Sequence, residues 1–130
     1  MIDHLSTYAT DFPATRAFYD GTLPVLGYSV QAEFVAEWDT EFPERRVCGY
    51  GPPGKAVFWI IETRQQATPR HVAFSAADRE AVARFHRGGL AAGGTDNGAP
   101  GLRPQYHEHY FGAFLLDPDG NNVEAVCHSP

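Results

Sequence analysis

The chain has 130 residues, of which 43% are hydrophobic and 20% are charged, a composition that indicates one folded domain and excludes a disordered chain. Sixteen acidic against ten basic residues give a net charge of −6, which argues against nucleic acid or an anionic membrane surface as a partner. No apolar run reaches about 18 residues, so no segment is predicted to span a bilayer.

An internal repeat organises the chain. When the sequence is shifted by 67 residues against itself, eight of the 24 positions from 4 to 27 carry the same residue, whereas chance would give roughly two. The matching pairs are His4/His71, Ala9/Ala76, Asp11/Asp78, Ala14/Ala81, Phe18/Phe85, Gly21/Gly88, Leu23/Leu90 and Gly27/Gly94. The repeat predicts a duplicated supersecondary module.

Each copy begins with a predicted strand that leads into a helix. The segments His4–Tyr8 and His71–Ser75 alternate in character with a period of two, which is typical of strands with two different faces. Asp11 and Asp78 then stand where helix N-caps are needed. We expect the two helices to pack on the apolar sides of these strands.

Three strand-like segments follow each helix. They lie at about Tyr28–Val35, Arg45–Tyr50 and Ala56–Glu62, and then at about Leu102–His107, Tyr110–Asp117 and Asn121–His128, with a Gly/Pro-rich loop at Gly94–Pro100. The order β-α-β-β-β, twice, predicts an α+β fold. The link between the halves is too short for a flexible tether, so we expect one domain over 1–130, with module one at about 1–62 and module two at about 69–128.

The two repeated histidines are candidate metal ligands. If the helices cover the Leu5 and Val72 sides of the first strands, His4 and His71 line the inside, and repeat symmetry brings them together. Glu124 lies in the last predicted strand, where a charge is costly unless it is paired or bound to metal. The three would form a two-histidine, one-carboxylate set with open positions for substrate or oxygen. Hydrogen-bonded histidines and a salt-bridged glutamate are the alternative.

The duplicated module, the two first-strand histidines and the segment Asp117–Glu124, which reads DPDGNNVE, resemble the glyoxalase/bleomycin-resistance/extradiol-dioxygenase superfamily, also called vicinal oxygen chelate proteins. The resemblance covers residues 2–128. It implies two tandem β-α-β-β-β modules that form an open, barrel-like cavity with the helices outside. It also implies a divalent metal (Zn, Fe, Mn or Ni) held by His4, His71 and Glu124, and self-association, most simply as a homodimer.

One position departs from the glyoxalase I enzymes, which typically add a carboxylate from the last strand of the first module. Here the corresponding residue is Phe58 or Trp59, and Glu62 comes too late in the strand. This weakens a lactoylglutathione lyase assignment and favours the three-ligand pattern of the extradiol dioxygenases and the fosfomycin-modifying members. Extradiol enzymes, however, are usually longer than this chain.

A second polar cluster, Arg103–Tyr110, is predicted to join strands that face the cavity. Arg103 could hold an anionic group of a substrate. His107 could act as a general acid or base, and Tyr110 could donate to an oxyanion. Trp59 and Tyr106 would offer flat apolar surface as cavity walls. The alternative for the cluster is a polar hairpin that is exposed to solvent.

A cytoplasmic location is expected. The first residues lack the basic and then apolar layout of a secretory signal. Cys48 and Cys127 are too few for a disulfide framework, so we expect reduced, packed thiols, although a single bridge is compatible with the sequence. His86, in the middle of the second helix, is predicted to lie at the surface.

Two functions stay open. The first is a small divalent-metal-dependent enzyme of the lyase or dioxygenase type, whose metal would act as a Lewis acid on a small molecule with vicinal oxygens. The second is a metal-free protein of the bleomycin-resistance type, which would bind or sequester a small molecule in the same cavity, lined by Trp59, Tyr8 and Tyr106.

Overall fold

A computed structural model describes residues 1–130 and contains eight strands, two α-helices and one 3₁₀ helix. They are β1 (Leu5–Ala9), α1 (Phe12–Thr22), the 3₁₀ helix (Leu23–Leu26), β2 (Ser29–Val35), β3 (Arg46–Gly51), β4 (Phe58–Glu62), β5 (His71–Ser75), α2 (Arg79–Ala91), β6 (Thr95–Leu102), β7 (Phe111–Leu116) and β8 (Asn122–Cys127). The predicted α+β class and the β-α-β-β-β order, repeated twice, are confirmed.

Each repeat forms a four-stranded sheet of its own. The strand order is β1-β4-β3-β2 in the first sheet and β5-β8-β7-β6 in the second. In each sheet the first strand runs parallel to the last, and the other pairs are antiparallel. The sheets are curved but are not closed into a barrel, so the predicted cavity takes the form of two open faces.

The two sheets also share their register. Ser6 of β1 pairs with Trp59 of β4, and Ala73 of β5 pairs with Glu124 of β8. Ser6 and Ala73 are 67 residues apart, which is the repeat spacing. Trp59 therefore occupies in the first sheet the place that Glu124 occupies in the second. Of the two candidates Phe58 and Trp59, the register selects Trp59 as the residue at the position where glyoxalase I enzymes typically have a carboxylate.

Both helices begin at the predicted aspartates. The side chains of Asp11 and Asp78 each accept a hydrogen bond from the backbone N–H three residues further on, at 3.1 and 2.7 Å. Such caps satisfy backbone donors that have no partner inside the helix. After α1 the chain continues as the 3₁₀ helix that contains Pro24, and Gly93 follows α2 with a positive φ of 96°.

The helices meet at two glycines that the repeat relates. A Cβ atom at Gly88 would collide with the carbonyl oxygen of Gly21. When two residues related by an internal repeat touch each other, they lie on the pseudo-two-fold axis. The axis therefore passes between α1 and α2. The helices lie at the centre of the molecule, and the open sheet faces lie away from it.

One face of each sheet packs on the helices and forms a common core. Its largest members are Phe18, Tyr19, Leu23, Tyr50, Phe58, Ile60, Phe74, Val82, Phe85, Leu115 and Val123. Thr7 and Ala9, on the Leu5 side of β1, are buried, and Val72 of β5 packs against the core. Because side chains alternate along a strand, His4 and His71 lie on the sheet faces that point away from the helices. The sequence predicted that both histidines line the inside of one cavity, whereas each lies on the open face of its own sheet.

The predicted strand Leu102–His107 and the predicted loop Gly94–Pro100 are wrong. The strand is β6, and residues 103–110 form turns instead. β6 is an edge strand that contains Gly98 and Pro100, and its pairing with β7 shifts register around Gly98. An edge position tolerates proline because its outward N–H needs no partner in the sheet, so the Gly/Pro content was misleading.

His86 is buried, which corrects its predicted surface position. Its Nε2 lies 2.9 Å from Oδ1 of Asp96, and this hydrogen bond lowers the pKa of the Asp96 carboxyl. The pair links α2 to the start of β6. Cys48 and Cys127 are free and buried, as expected, and burial raises the pKa of the Cys48 thiol. None of the helices is both long and apolar enough to span a membrane.

The Asp-Pro-Asp-Gly turn between β7 and β8 fastens module two to module one. Asp117 Oδ2 accepts a hydrogen bond from the buried hydroxyl of Tyr19 at 2.7 Å. Asp119 accepts from the backbone N–H of Thr10 at 3.1 Å and from its hydroxyl at 2.6 Å. Both aspartates are buried, so these bonds offset the cost of removing two carboxylates from water. The turn is therefore a structural seam between the modules.

Candidate functional site

The three predicted metal ligands lie on two different open faces. His71 and Glu124 share the face of the second sheet, whereas His4 lies on the face of the first sheet. No group of three or more His, Cys, Asp or Glu side chains in the chain is placed to hold a metal ion. Within one chain, His4 therefore does not join His71 and Glu124.

His71 and Glu124 form a close pair. Glu124 is opposite Ala73 in the register, and His71 is two residues before Ala73, so both side chains point to the same face. His71 Nε2 lies 2.9 Å from Glu124 Oε2. The side chain of Glu124 is 1% exposed and that of His71 is 53% exposed. A solvent-facing imidazole thus sits over a buried carboxylate.

Tyr110 completes the surroundings of this carboxylate. Its hydroxyl donates to Oε1 of Glu124. Burial, together with this hydrogen bond to Glu124, raises the pKa of Tyr110 to about 12. Tyr110 is therefore a protonated donor at neutral pH. Each oxygen of Glu124 has a partner, which offsets the cost of its burial without a metal ion.

Arg103 lies beside this face and braces the irregular end of β6. Its Nη1 donates to the carbonyl of Gly101 and its Nη2 donates to that of Ala99, both at 2.8 Å. The guanidinium carbon lies 5.3 Å from the centre of the Phe114 ring. These contacts occupy part of the donor set that was predicted to hold a substrate.

His107 and Tyr106 lie in the turns of residues 103–110 and not in the predicted strand Leu102–His107. His107 Nδ1 accepts from the backbone N–H of His109 at 3.1 Å, which leaves the proton on Nε2, 2.8 Å from Nδ1 of His128. Tyr106 is 61% exposed and packs on the Tyr110 ring at 4.8 Å. Both residues thus surround Tyr110 at the rim of the second face.

The face of the first sheet forms an aromatic cleft of about 290 Å³. It is lined by His4, Ser6, Phe34, Trp38, Val47, Trp59 and Ile61. The ring of Phe34 lies 5.4 Å from that of Trp38 and 6.0 Å from that of Trp59. Tyr8, predicted to line the same cavity, borders a separate crevice of about 60 Å³ near the seam. Trp59 thus lines an open cleft, and the residues beside it differ from those that were predicted.

Trp38 and Phe34 line the cleft but were not predicted from the sequence. Both fall near the end of β2 in a stretch rich in acidic residues, where no alternation marks an aromatic wall. The available signal was rarity, because the chain has two tryptophans and Trp38 is flanked by Glu37 and Asp39. A tryptophan that is 74% exposed between two carboxylates contributes little to a core and is a candidate binding residue.

His4 lies at the polar end of the cleft. Its Nδ1 is 2.7 Å from Oδ1 of Asp3, whose Oδ2 accepts from Lys55 Nζ at 2.6 Å. The hydrogen bond from Lys55, followed by that from His4, lowers the pKa of Asp3 to about 2. Asp3 is exposed, so this contact orients the imidazole of His4 but does not bury it.

No protein-family model matches the sequence, and a comparison with curated proteins finds no match. Solved structures do match. A glyoxalase/bleomycin resistance protein from Albidiferax ferrireducens T118 is 29% identical, with 98% of both chains covered and a TM-score of 0.76. A glyoxalase/bleomycin resistance protein/dioxygenase family enzyme from Burkholderia phytofirmans PsJN is 19% identical, with 98% of both chains covered and a TM-score of 0.66.

A third similar structure is larger. The V278E mutant of glyoxalase I from Zea mays is 19% identical, with a TM-score of 0.68, and the match covers 96% of this chain but 45% of the maize chain. All three structural matches cover nearly the whole of this chain. The resemblance predicted from the sequence is therefore confirmed: the chain has the glyoxalase/bleomycin-resistance/dioxygenase fold in a small, single-domain form.

Proposed function

We propose that this chain, with the fold of the glyoxalase/bleomycin-resistance/dioxygenase superfamily, is a small divalent-metal-dependent enzyme that acts on a small molecule with vicinal oxygens. His71 and Glu124 would hold the ion together with one further ligand, His4. The observation that carries the proposal is the pair on the second face, where a carboxylate that is 1% exposed lies 2.9 Å from an imidazole nitrogen.

The donor chemistry fits such an ion, and one chain supplies only part of it. Imidazole nitrogen and carboxylate oxygen are the donors of two-histidine, one-carboxylate sites for divalent transition metals. Because His4 lies on the other sheet, we propose that two chains pair as a homodimer. His4 of one chain would then face His71 and Glu124 of its partner, and two open faces would enclose one cavity.

The side chains around the pair would bind and orient the substrate. The ion, when bound, would supply Lewis-acid stabilisation of negative charge on the substrate oxygens. The single O–H of Tyr110 donates to Glu124 in the structure, and it would become available to a developing oxyanion when the ion takes over that carboxylate oxygen. His107 could exchange a proton with solvent. Trp59 and Tyr106 would be walls of the cavity, and the free N–H groups of Arg103 could meet an anionic substituent.

Metal uptake by the purified protein tests the proposal. After incubation with Zn²⁺, Fe²⁺, Mn²⁺ or Ni²⁺ and dialysis, we expect about one ion per chain for the wild type, because three protein ligands suffice for a stable site. His71→Ala and Glu124→Gln should lose the ion. His128→Ala is the control, since that histidine lies outside the set. A wild type that retains no ion contradicts the proposal.

A mixing experiment tests whether the site is shared between chains. His4→Ala and His71→Ala chains should each fail to retain the ion alone. In a mixed dimer, one of the two sites regains all three ligands. Random exchange of equal amounts makes about half of the dimers mixed, so metal uptake should return to about a quarter of the site number. Mixing without recovery, while both variants stay folded and dimeric, contradicts a shared site.

A second function is favoured by the aromatic cleft and by the satisfied oxygens of Glu124. In this alternative the protein binds or sequesters a small molecule without a metal, and removal of His4 and His71 leaves the affinity nearly intact. Ligand-induced tryptophan fluorescence changes in metal-stripped and metal-loaded protein separate the two functions. Loss of the change on stripping contradicts metal-free binding. Both proposals assume a cytoplasmic protein, which the two free thiols favour.

A further inference from the structure

We infer that the aromatic cleft of the first sheet binds a planar aromatic ring that is uncharged or positively charged, and that it discriminates against aromatic anions. The inference rests on the proposed function only in assigning that ring to the substrate. Binding of the ring to the cleft needs neither the metal ion nor the His71–Glu124 pair.

The geometry of the walls favours a flat ring. Trp38 and Phe34 are tilted by 35° to each other, and Phe34 and Trp59 are tilted by 60°, so the cleft offers both ring faces and ring edges. Aromatic pairs in offset-stacked or edge-to-face arrangements are stabilised beyond what their buried area alone provides, so a flat ring should bind better than a saturated group of the same size. A volume of about 290 Å³ lies at the small end of ligand sites, which suits one ring system.

One wall is fixed and the other is exposed. Trp59 belongs to β4, and a Cβ atom at Gly49 would lie 2.7 Å from its ring, so the glycine allows the indole to lie flat on β3. Trp38 lies between β2 and β3, contacts the Phe34 ring and is 74% exposed. A ring that enters the cleft would bury apolar area on Trp38 that the chain itself leaves in water.

The charges around the cleft favour a cation over an anion. Neither lysine nor arginine lines it. Trp38 is flanked in sequence by Glu37 and Asp39, and of these Asp39 is paired with Arg45 at 3.1 Å. The faces of indole rings attract cations, and the net charge of −6 acts in the same direction. An aromatic anion would meet two indole faces and no lining arginine or lysine.

Indole N–H signals in nitrogen-15-labelled, metal-stripped protein provide the test, because the chain has two tryptophans and both line the cleft. Four probes of similar size are titrated: benzyl alcohol, cyclohexylmethanol, benzyltrimethylammonium and benzoate. We expect saturable shifts of both signals with benzyl alcohol, at least about threefold weaker binding of cyclohexylmethanol, and about tenfold tighter binding of benzyltrimethylammonium than of benzoate.

Variants assign the effect to individual walls. Trp38→Leu should weaken benzyl alcohol binding about tenfold while the Trp59 signal still reports on the cleft. Leu90→Ala, an exposed apolar position on α2, is the control and should leave binding unchanged. Glu37→Lys should bring the affinities for benzyltrimethylammonium and benzoate to within about threefold of each other, because it reverses one charge beside Trp38.

Four results would overturn the inference. Equal affinity for cyclohexylmethanol and benzyl alcohol removes the ring preference, and benzoate binding as tight as benzyltrimethylammonium removes the charge preference. If the indole N–H signals move with protein concentration but do not respond to any probe, a second copy of the chain covers the cleft. Ion uptake without probe binding defeats this inference alone, and probe binding without ion uptake defeats the proposed metal enzyme alone.

Discussion

The open faces of the two sheets have the same backbone and different chemistry. On the second face, Glu124 and His71 form a hydrogen-bonded polar pair, whereas on the first face Trp59 and His4 line an aromatic cleft. The register places Trp59 and Glu124 at equivalent positions. A duplicated scaffold therefore offers two equivalent places for side chains, and the residue at each place decides whether the face carries a buried polar pair or an aromatic cleft.

Each face also carries the neighbours that its central residue requires. A carboxylate loses its hydration when it is buried, and for Glu124 the Tyr110 hydroxyl and the His71 imidazole replace that hydration. An indole needs flat space, and for Trp59 the absence of a side chain at Gly49 provides it. Exchange of the central residue alone should therefore transfer only part of the function from one face to the other.

The largest effect is expected at the seam, which fixes both faces relative to each other. Asp117→Ala removes the acceptor for the Tyr19 hydroxyl and for two backbone N–H groups of its own turn, all of them buried. We expect a loss of about 3–4 kcal/mol in the free energy of unfolding, measured by urea titration. Pro118→Ala, at an exposed neighbouring position, should cost less than about 1 kcal/mol, because it only frees the backbone of the unfolded chain. A similar loss of unfolding free energy in both variants would contradict the role of this turn as the structural link between the modules.

The next largest effect is expected on the pseudo-two-fold axis. Gly88→Ala drives a methyl group into the carbonyl of Gly21 and should cost about 2–3 kcal/mol of unfolding free energy, although alanine favours helix in general. Arg84→Ala, on the exposed side of α2, should be within about 0.5 kcal/mol of the wild type. A stabilising Gly88→Ala would show that the helices do not meet there.

Trp59→Glu tests whether the two faces are equivalent. In a His71→Ala background, this change places a carboxylate near His4 and should tighten Zn²⁺ binding about tenfold, as measured by calorimetry. Trp59→Gln is the control, because it offers the same shape without the charge. Equal Zn²⁺ affinity of the two variants would mean that the shared register does not create equivalent ligand positions.

The smallest effect concerns the protonation of Tyr110. The phenol should titrate at a pKa of about 12, observed as the phenolate absorbance that Tyr110→Phe removes. Glu124→Gln should lower this pKa, because the negative charge disappears, but burial should keep it above the ordinary value.

The raised pKa of Tyr110 also makes the free energy of unfolding depend on pH in a definite direction. The pKa of Tyr110 rises from 10.0 to about 12 in the folded chain, so its contribution to stability is present below pH 10 and is lost as the pH rises towards 12. The difference in unfolding free energy between wild type and Tyr110→Phe should shrink over that interval. A constant difference would contradict the raised pKa of Tyr110, which burial causes first and the hydrogen bond to Glu124 second.

Local patterns were sufficient for much of the fold. The caps at Asp11 and Asp78 depend on residues within a few positions of each other, and the structure confirms them. Alternation along the strand placed His4 and His71 on the sides away from the helices, but it did not show that these sides belong to separate sheets. β6 was misplaced, because the tolerance of an edge strand for glycine and proline depends on which strands lie beside it. Trp38 was missed for a similar reason, since its partner rings come from other parts of the first sheet.

The sequence by itself determined that the chain is a doubled β-α-β-β-β unit with a histidine on the open side of each first strand. It did not determine where the two open sides point. That depends on how the halves pack, and the contact of Gly21 with Gly88 places the helices on the axis and the open faces apart. Repeat spacing is a property of the linear chain, whereas the meeting of His4 with His71 depends on a packing geometry that only the tertiary structure decides.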